Sequence, residues 1–503
     1  MDFSNLLSNL ALGLTVAETP QNLFWCLMGA IIGTAVGVLP GLGPVATMAL
    51  LLPVTYYLPP EGALIMLAGI YYGAQYGGST TAILVNLPGE SSSVVTCLDG
   101  YQMARQGRAG PALAIAAIGS FFAGCVSTVL IAVAAPPLVA LAQSFGPADY
   151  CSLMVFGLVT AIVMASGSIL KAVAMIFFGL LLGIVGTDVN TGNLRYDFGI
   201  GILFDGINFV PIAMGVFGIN EIMANLTNPE RRDVLSSRIS GLMPTWKDIK
   251  ESSGAIVRGT ALGSLLGILP GGGALLASFA SYSLEKKVSK TPEKFGTGII
   301  QGVAGPESAN NAAAQTSFIP MLTLGIPSNA VMAMMVGGMM IHGIIPGPQV
   351  MTDKPGLFWG MIVSMWIGNI MLIVFNLPMV GIWVKMLTVP YRLLSVSILF
   401  FCCIGVYSVN NSAEEVLLIT FFGLLGYALI KMGCEPAPML LGFILGPMME
   451  TYLRRAMLLS RGDPWVFVQR PISLGFLIAA AILLVIIVLP NVRKVRQQAF
   501  VED

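Results

Sequence analysis

Two stretches of the chain bring hydroxyl and amide side chains together with Pro-Gly breaks, and these are the residues whose types and spacing could do chemistry. The first, YGGSTTAILVNLPGESSS at Tyr76–Ser93, holds Ser79, Thr80, Thr81, Asn86, Glu90, Ser91, Ser92 and Ser93 around Pro88 and Gly89. The second, Glu307–Ala330, holds Asn310, Asn311, Gln315, Thr316, Ser317, Ser328 and Asn329 around Pro320 and Pro327. Side-chain oxygens beside freed backbone carbonyls suit a sodium ion, and free N–H groups at a helix start suit a carboxylate. The apolar flanks Ala82–Val85 and Val94–Val95 place the first stretch at membrane depth. Glu90 is then functional by default, whereas at a loop end it would merely be solvated.

Other chemistries lack their residues. The chain has one histidine, His342, and seven cysteines without a C-x-x-C pair, so zinc, iron–sulfur and haem sites have no clustered ligands. There is no HExxH and no GxSxG, and the Gly41–Gly43 pair is followed by no GK[ST]. The expectation is a protein that is not an enzyme, without a cofactor and with no metal beyond a transported sodium. Lys+Arg 25 against Asp+Glu 25 gives no net charge and no sign of a nucleic-acid partner.

The elements that must position the polar stretches are broken helices. GVLPGLGP at Gly37–Pro44 and GILPGGGA at Gly267–Ala274 interrupt long apolar runs in the same way. Pro40, Gly41 and Gly43, and then Pro270, Gly271, Gly272 and Gly273, free backbone groups that hydrocarbon cannot satisfy, so they must face protein, ions or a watery cavity. Each run is either one long broken helix or a re-entrant hairpin. With 56% hydrophobic and 10% charged residues the chain is a polytopic membrane protein. A matched break in each half points to a secondary transporter with its site between two repeats. An uncoupled ion or solute channel on the same broken helices is the alternative.

GTAVGVLPGLG at Gly33–Gly43 is answered by GTALGSLLGILPGGG at Gly259–Gly273. The basic residues reverse between the copies: Arg105 and Arg108 follow the first polar stretch, whereas Arg231 to Arg258 precede the second broken run. Positive loops stay cytoplasmic, so the reversal is what inverted-topology repeats produce. The expected fold is all-α, with two inverted repeats and about 12 transmembrane segments of roughly 20 residues. Residues 1–22 read as an N-terminal interfacial segment, 23–226 as the first repeat, 227–253 as a hydrophilic cytoplasmic connection, 254–490 as the second repeat and 491–503 as a cytoplasmic tail. Pro136 and Pro137 read as dividing two apolar runs, and Asp188 to Asp197 and Arg454 as loop residues.

GVLPGLGP, YYGAQYGGSTTAILVNLPGE, the PESANNAAA run at Pro306–Ala314 and GIPS at Gly325–Ser328 followed by GIIPGPQVM resemble the large membrane subunit of the tripartite tricarboxylate transporter family. The resemblance implies a multi-pass protein of the bacterial inner membrane. It also implies a small membrane subunit, a periplasmic solute-binding protein, a citrate-like carboxylate substrate and co-transported Na+ or H+, with no ATPase. Because the polar stretches hold hardly any Lys or Arg, the carboxylates are expected on helix N-termini and on Ser79, Thr80, Thr81, Asn86, Ser91, Ser92, Asn310, Asn311, Thr316, Ser328 and Asn329. The cation is expected at the broken-helix residues, including Pro88, Gly89 and Pro327.

Overall fold

The computed structural model describes residues 3–39, 43–165, 168–188, 191–220, 222–223, 241–269, 273–386 and 391–488. Helix α1 (Phe3–Ala17) is followed by α2 (Pro20–Val38), α3 (Pro44–Thr55) and α4 (Pro60–Val85). Thr19 caps α2 by accepting from Asn22 N at 3.3 Å, and α2 stops just before the Pro-Gly break. After α3, Gly62 lies against Asn22 and Trp25, at the beginning of α2. The chain has therefore folded back, and α2 with α3 is a re-entrant hairpin.

Helix α4 then runs beside α2 in the same direction. Gly29, Gly33 and Gly37 stack on Met66, Ile70 and Ala74, while Gly69, Gly73 and Gly77 face back onto α2. Spacing of four keeps the glycines on one helix face, and without Cβ atoms the backbones come into contact.

The second half repeats the arrangement. Short α5 (Val94–Arg105), long α6 (Ala109–Ala142), α7 (Pro147–Met164), α8 (Ile169–Gly183) and α9 (Phe209–Ala213) lead to α10 (Trp246–Ile268) and α11 (Gly273–Val288). Thr245 and Asp248 form a capping box at the start of α10. Arg258 on α10 pairs with Glu285 on α11 at 2.6 Å, which lays the two arms side by side. Helix α12 (Gln301–Thr316) runs parallel to α10, with Gly259, Gly263 and Gly267 on Gly305, Ala309 and Ala313. Both broken runs are hairpins, which decides between the two forms the sequence left open.

Each parallel helix ends in a left-handed residue. Asn86 (φ 59°, ψ 26°) closes α4, and Gly325 (φ 76°, ψ 16°) closes α13 (Phe318–Leu324), which continues α12. A proline follows two residues later, Pro88 or Pro327, and a new helix begins: the 3-10 turn Ser91–Ser93 into α5, or α14 (Ala330–Ile341).

The remainder comprises α15 (Gln349–Asp353), α16 (Pro355–Asn376), α17 (Val380–Met386), α18 (Tyr391–Asn410), α19 (Ala413–Lys431), α20 (Pro436–Leu459), α21 (Val466–Gln469) and α22 (Pro471–Val488). Among the described residues four helices are long and apolar enough to cross a membrane: α2, α6, α16 and α19, with several shorter apolar helices beside them. Helix α1 packs on α16, Gly13 lying on the carbonyl of Trp359.

Two expectations are corrected. Pro136 and Pro137 do not divide the chain but lie inside α6, because a proline removes one helical hydrogen bond that packed neighbours can tolerate in a membrane helix. Asp188 is buried, not solvated: Arg454, a residue of α20 and not of a loop, donates to its two oxygens at 3.0 and 2.8 Å. A short hairpin, Gly186–Thr187 with Leu194–Arg195, carries Arg195 to the same pair.

Candidate functional site

The two hairpin tips meet at one cavity of about 590 Å³. Gly43 to Ala46, the start of α3, and Gly273 to Leu275, the start of α11, line it together. Three more helix starts face it: Glu90 to Ser92 ahead of α5, Ser328 to Val331 at α14, and Glu435 to Pro438 at α20. Five first turns therefore surround one space. Each helix start carries backbone N–H groups without intrahelical partners and about half a unit of positive charge.

No Lys or Arg lines the cavity. Its polar lining includes Tyr71, Gln75 and two buried amides: Asn220 Oδ1 and Asn329 Nδ2 have no partner among the described residues. Asn329 uses its Oδ1 to cap α14, accepting from Met332 N at 2.9 Å, so its amine is the part left over. Asn220 follows a π-helical turn, Met214–Ile219, that continues α9. A π-turn inserts an extra residue and re-aims the side chains beyond it. The helix starts and Asn329 Nδ2 offer donors to the space, Asn220 Oδ1 offers an acceptor, and Glu90 and Glu435 add two carboxyl side chains to the lining.

The expected site residues fall into three groups. Gly43, Pro88, Gly89, Ser91, Ser92, Gly273, Ser328 and Asn329 line the cavity. Ser79, Thr80, Thr81, Asn310, Asn311 and Thr316 lie behind it, in helices α4 and α12. The Thr81 hydroxyl lies within reach of the carbonyls at the end of α2, Gly37 O (3.3 Å) and Val38 O (3.1 Å), and of Gly77 O on its own helix (3.2 Å), and so joins α4 to the hairpin tip. Thr316 stands against Gly267 in the corresponding place and donates to Ala312 O at 3.0 Å. Asn86 is the exposed left-handed cap of α4, away from the cavity. Pro327 shapes the turn before α14. Pro40, Gly41, Pro270, Gly271 and Gly272 lie outside the described residues.

A buried polar knot joins the inner group. Ser79 and Thr96 both donate to the Glu307 carboxyl, and Asn310 Nδ2 lies 3.4 Å from it. Asn311 Nδ2 donates to Ser120 Oγ (2.7 Å) and Asn310 Oδ1 (2.7 Å). Sequence reasoning did not single out Glu307, although the criterion applied to Glu90, an acid in a run without basic residues, would have found it. Asn220 and Gln75 carried no local signal, and the start of α20 was visible only as an isolated Pro-Ala-Pro.

The profile of one protein family, described as the Tripartite tricarboxylate transporter TctA family, matches residues 23–441. An uncharacterized 52.8 kDa protein from the TAR-I ttuC′ 3′ region of Agrobacterium vitis is 58% identical over 499 residues, covering 99% of both chains. An uncharacterized protein from the TAR-II ttuC′ 3′ region of the same organism is 60% identical over 241 residues, which is 48% of this chain and 100% of that one. No solved structure matches the chain.

Proposed function

The chain belongs to the tripartite tricarboxylate transporter TctA family, and on that premise we propose that it imports citrate-like tricarboxylates or other carboxylates by Na+ or H+ symport, as the large subunit of a binding-protein-dependent secondary transporter. The observation that carries the proposal is the convergence of five helix starts and the unpartnered Asn329 amine on a cavity without Lys or Arg. Helix N-termini hold carboxylates through N–H groups and a partial charge, which binds an anion yet lets it leave. A buried permanent cation would cost more to desolvate and would hold the substrate too firmly.

The two hairpins give the mechanism its moving parts. Their tips meet at the cavity, and the reversal of basic residues between the copies supports an inverted arrangement of the two repeats. Displacing the hairpins together with α4 and α12 against the other helices exposes the cavity to each side in turn. A periplasmic binding protein delivers the carboxylate and a small membrane subunit completes the assembly in the bacterial inner membrane.

Radiolabelled citrate and a panel of other carboxylates, offered to proteoliposomes holding the three components, test this. Uptake that needs both the binding protein and an inward Na+ or H+ gradient is the expected result. Ion conductance without the binding protein would overturn it.

A further inference from the structure

We propose that Glu307 and Glu90 are a proton-carrying pair that couples carboxylate binding at the cavity to proton movement; this rests on the transport function proposed above. Ser79 Oγ lies within hydrogen-bond distance of two acceptors, a Glu307 oxygen and the carbonyl of Gln75 at 3.0 Å. The one hydroxyl hydrogen is shared between these acceptors when Glu307 is ionised, and a protonated Glu307 can donate to Ser79 Oγ in its place, so the contact serves both states of the acid. Ser92 Oγ stands in the same position, between Glu90 Oε1 and Gln75 Oε1, the latter at 2.7 Å. Gln75 thus links the two acids, through its side chain on the Glu90 side and its carbonyl on the Glu307 side.

The surroundings give neither acid a counter-charge. Among the described residues no Lys, Arg or His pairs with Glu90 or Glu307, and both are buried. The titratable groups around Glu307 are Glu90, Tyr76 on α4 and Cys97 on α5, and Glu90 also faces Tyr71 on α4 and shares the large cavity with Glu435. Asp99 on α5 packs on Gly302, and Glu285 on α11 packs on Gly305 but is already paired with Arg258. An ionised carboxylate with only neutral donors, at membrane depth, is costly.

The pair also lies between two cavities. Glu90, Ser92 and Gln75 line the large one at the hairpin tips. Ser79, bonded to the Glu307 carboxyl, and Ser120, bonded to the backbone carbonyl of Glu307, line a second one of about 20 Å³ with Thr80, Tyr76 and Asn376. That volume is large enough for one water, and two of its lining residues carry polar atoms, Tyr76 Oη and Asn376 Oδ1, with no partner among the described residues. Loading forms an O–H bond on a carboxylate oxygen as a hydronium ion gives up its proton and leaves as water. Loaded, Glu90 stops repelling an anion in the large cavity. Proton and carboxylate then favour each other's binding by one reciprocal coupling energy.

Two measurements test the pair. Infrared difference spectra of the purified wild-type protein, titrated upward in pH, are expected to show a protonated carboxyl band that persists after exposed carboxyls have ionised. Its absence would overturn the proposal even if the variants fail to fold. In proteoliposomes holding all three components, Glu307→Gln, a neutral isostere of the loaded acid, is expected to keep carboxylate counterflow and to lose accumulation driven by a pH gradient. Accumulation in Glu307→Gln equal to wild type would overturn the proton-carrying role and leave the transport function standing. Absence of counterflow in the wild type would overturn both.

Discussion

Arg258 on α10 and Glu285 on α11 form a two-pronged ion pair, Nε to Oε1 at 2.8 Å and Nη2 to Oε2 at 2.6 Å, that fastens the two arms of the second hairpin. Glu285 is almost wholly buried while Arg258 is 41% exposed. Removing the guanidinium leaves a buried charge without a partner, which costs about 3 kcal/mol, the low end for such a loss because the arginine is partly in water. Arg258→Met is therefore expected to lower the unfolding temperature of the purified protein clearly. The double variant Arg258→Met/Glu285→Leu is expected to recover most of that loss, and additive destabilisation would show that the pair does not fasten the arms.

The glycine ladders set a second expectation. A Cβ on Gly33 would run into the carbonyl of Ile70, and one on Gly263 into the carbonyl of Ala309. Backbone cannot rotate away as a side-chain tip can, so Gly33→Val or Gly263→Val must push a hairpin arm off its parallel helix. Both variants are expected to elute as aggregated or misassembled protein in detergent. Gly43→Ala, where nothing lies within 4 Å of the added carbon, is expected to elute as the wild type does.

At the cavity, Asn329→Ala removes both the cap of α14 and the amide left for a ligand, whereas Asn329→Asp keeps the cap, loses the donor and adds a negative charge that repels an anionic ligand. A buried hydrogen bond to a charged group is worth about 1.5–3 kcal/mol, which corresponds to roughly 10- to 150-fold in affinity. Asn329→Asp, which adds charge repulsion to the lost hydrogen bond, is therefore expected to raise the half-saturating carboxylate concentration by at least roughly 10-fold while the helix cap is kept. An unchanged affinity would remove Asn329 from the site.

Asp248 supplies a pH-dependent element at the start of α10. Burial works to raise its carboxyl, but hydrogen bonds from Thr245 and the guanidinium of Arg108, 2.5 Å away, outweigh it and hold the group below the ordinary carboxylate range. A depressed folded value means that the stabilisation is complete above the unfolded value, about 3.9, and is lost as pH falls through the folded one. The difference in unfolding temperature between wild type and Asp248→Asn is expected to be constant near neutrality and to shrink on acidification below about pH 4. A difference that grows on acidification would contradict the assignment.

Much of this architecture was legible in the chain because it depends on backbone chemistry that few residues can supply. The matched Pro-Gly breaks mark in the sequence where both apolar runs are interrupted, whereas the choice of hairpin over bent helix came from packing, Gly62 on Asn22 and Arg258 with Glu285. The division of the polar residues was not legible. Ser91 and Asn329 reach the cavity while Thr81 and Asn311 hold helices together, and only the rotation of α4 and α12 on their neighbours decides which is which. Asn220 and the start of α20 come from distant parts of the chain, so their place at the cavity is a product of packing that no local pattern records.

The central claim is that carboxylate occupies the space between the hairpin tips, and protection of single cysteines tests it most directly. Ser91→Cys and Leu275→Cys line the cavity from the two halves, and Asn86→Cys lies away from it as a control. With the native cysteines replaced and all three components reconstituted, a transported carboxylate is expected to slow thiol labelling at 91 and 275 and leave position 86 unaffected. Equal labelling at all three positions with and without a carboxylate that the same vesicles accumulate would place the substrate elsewhere.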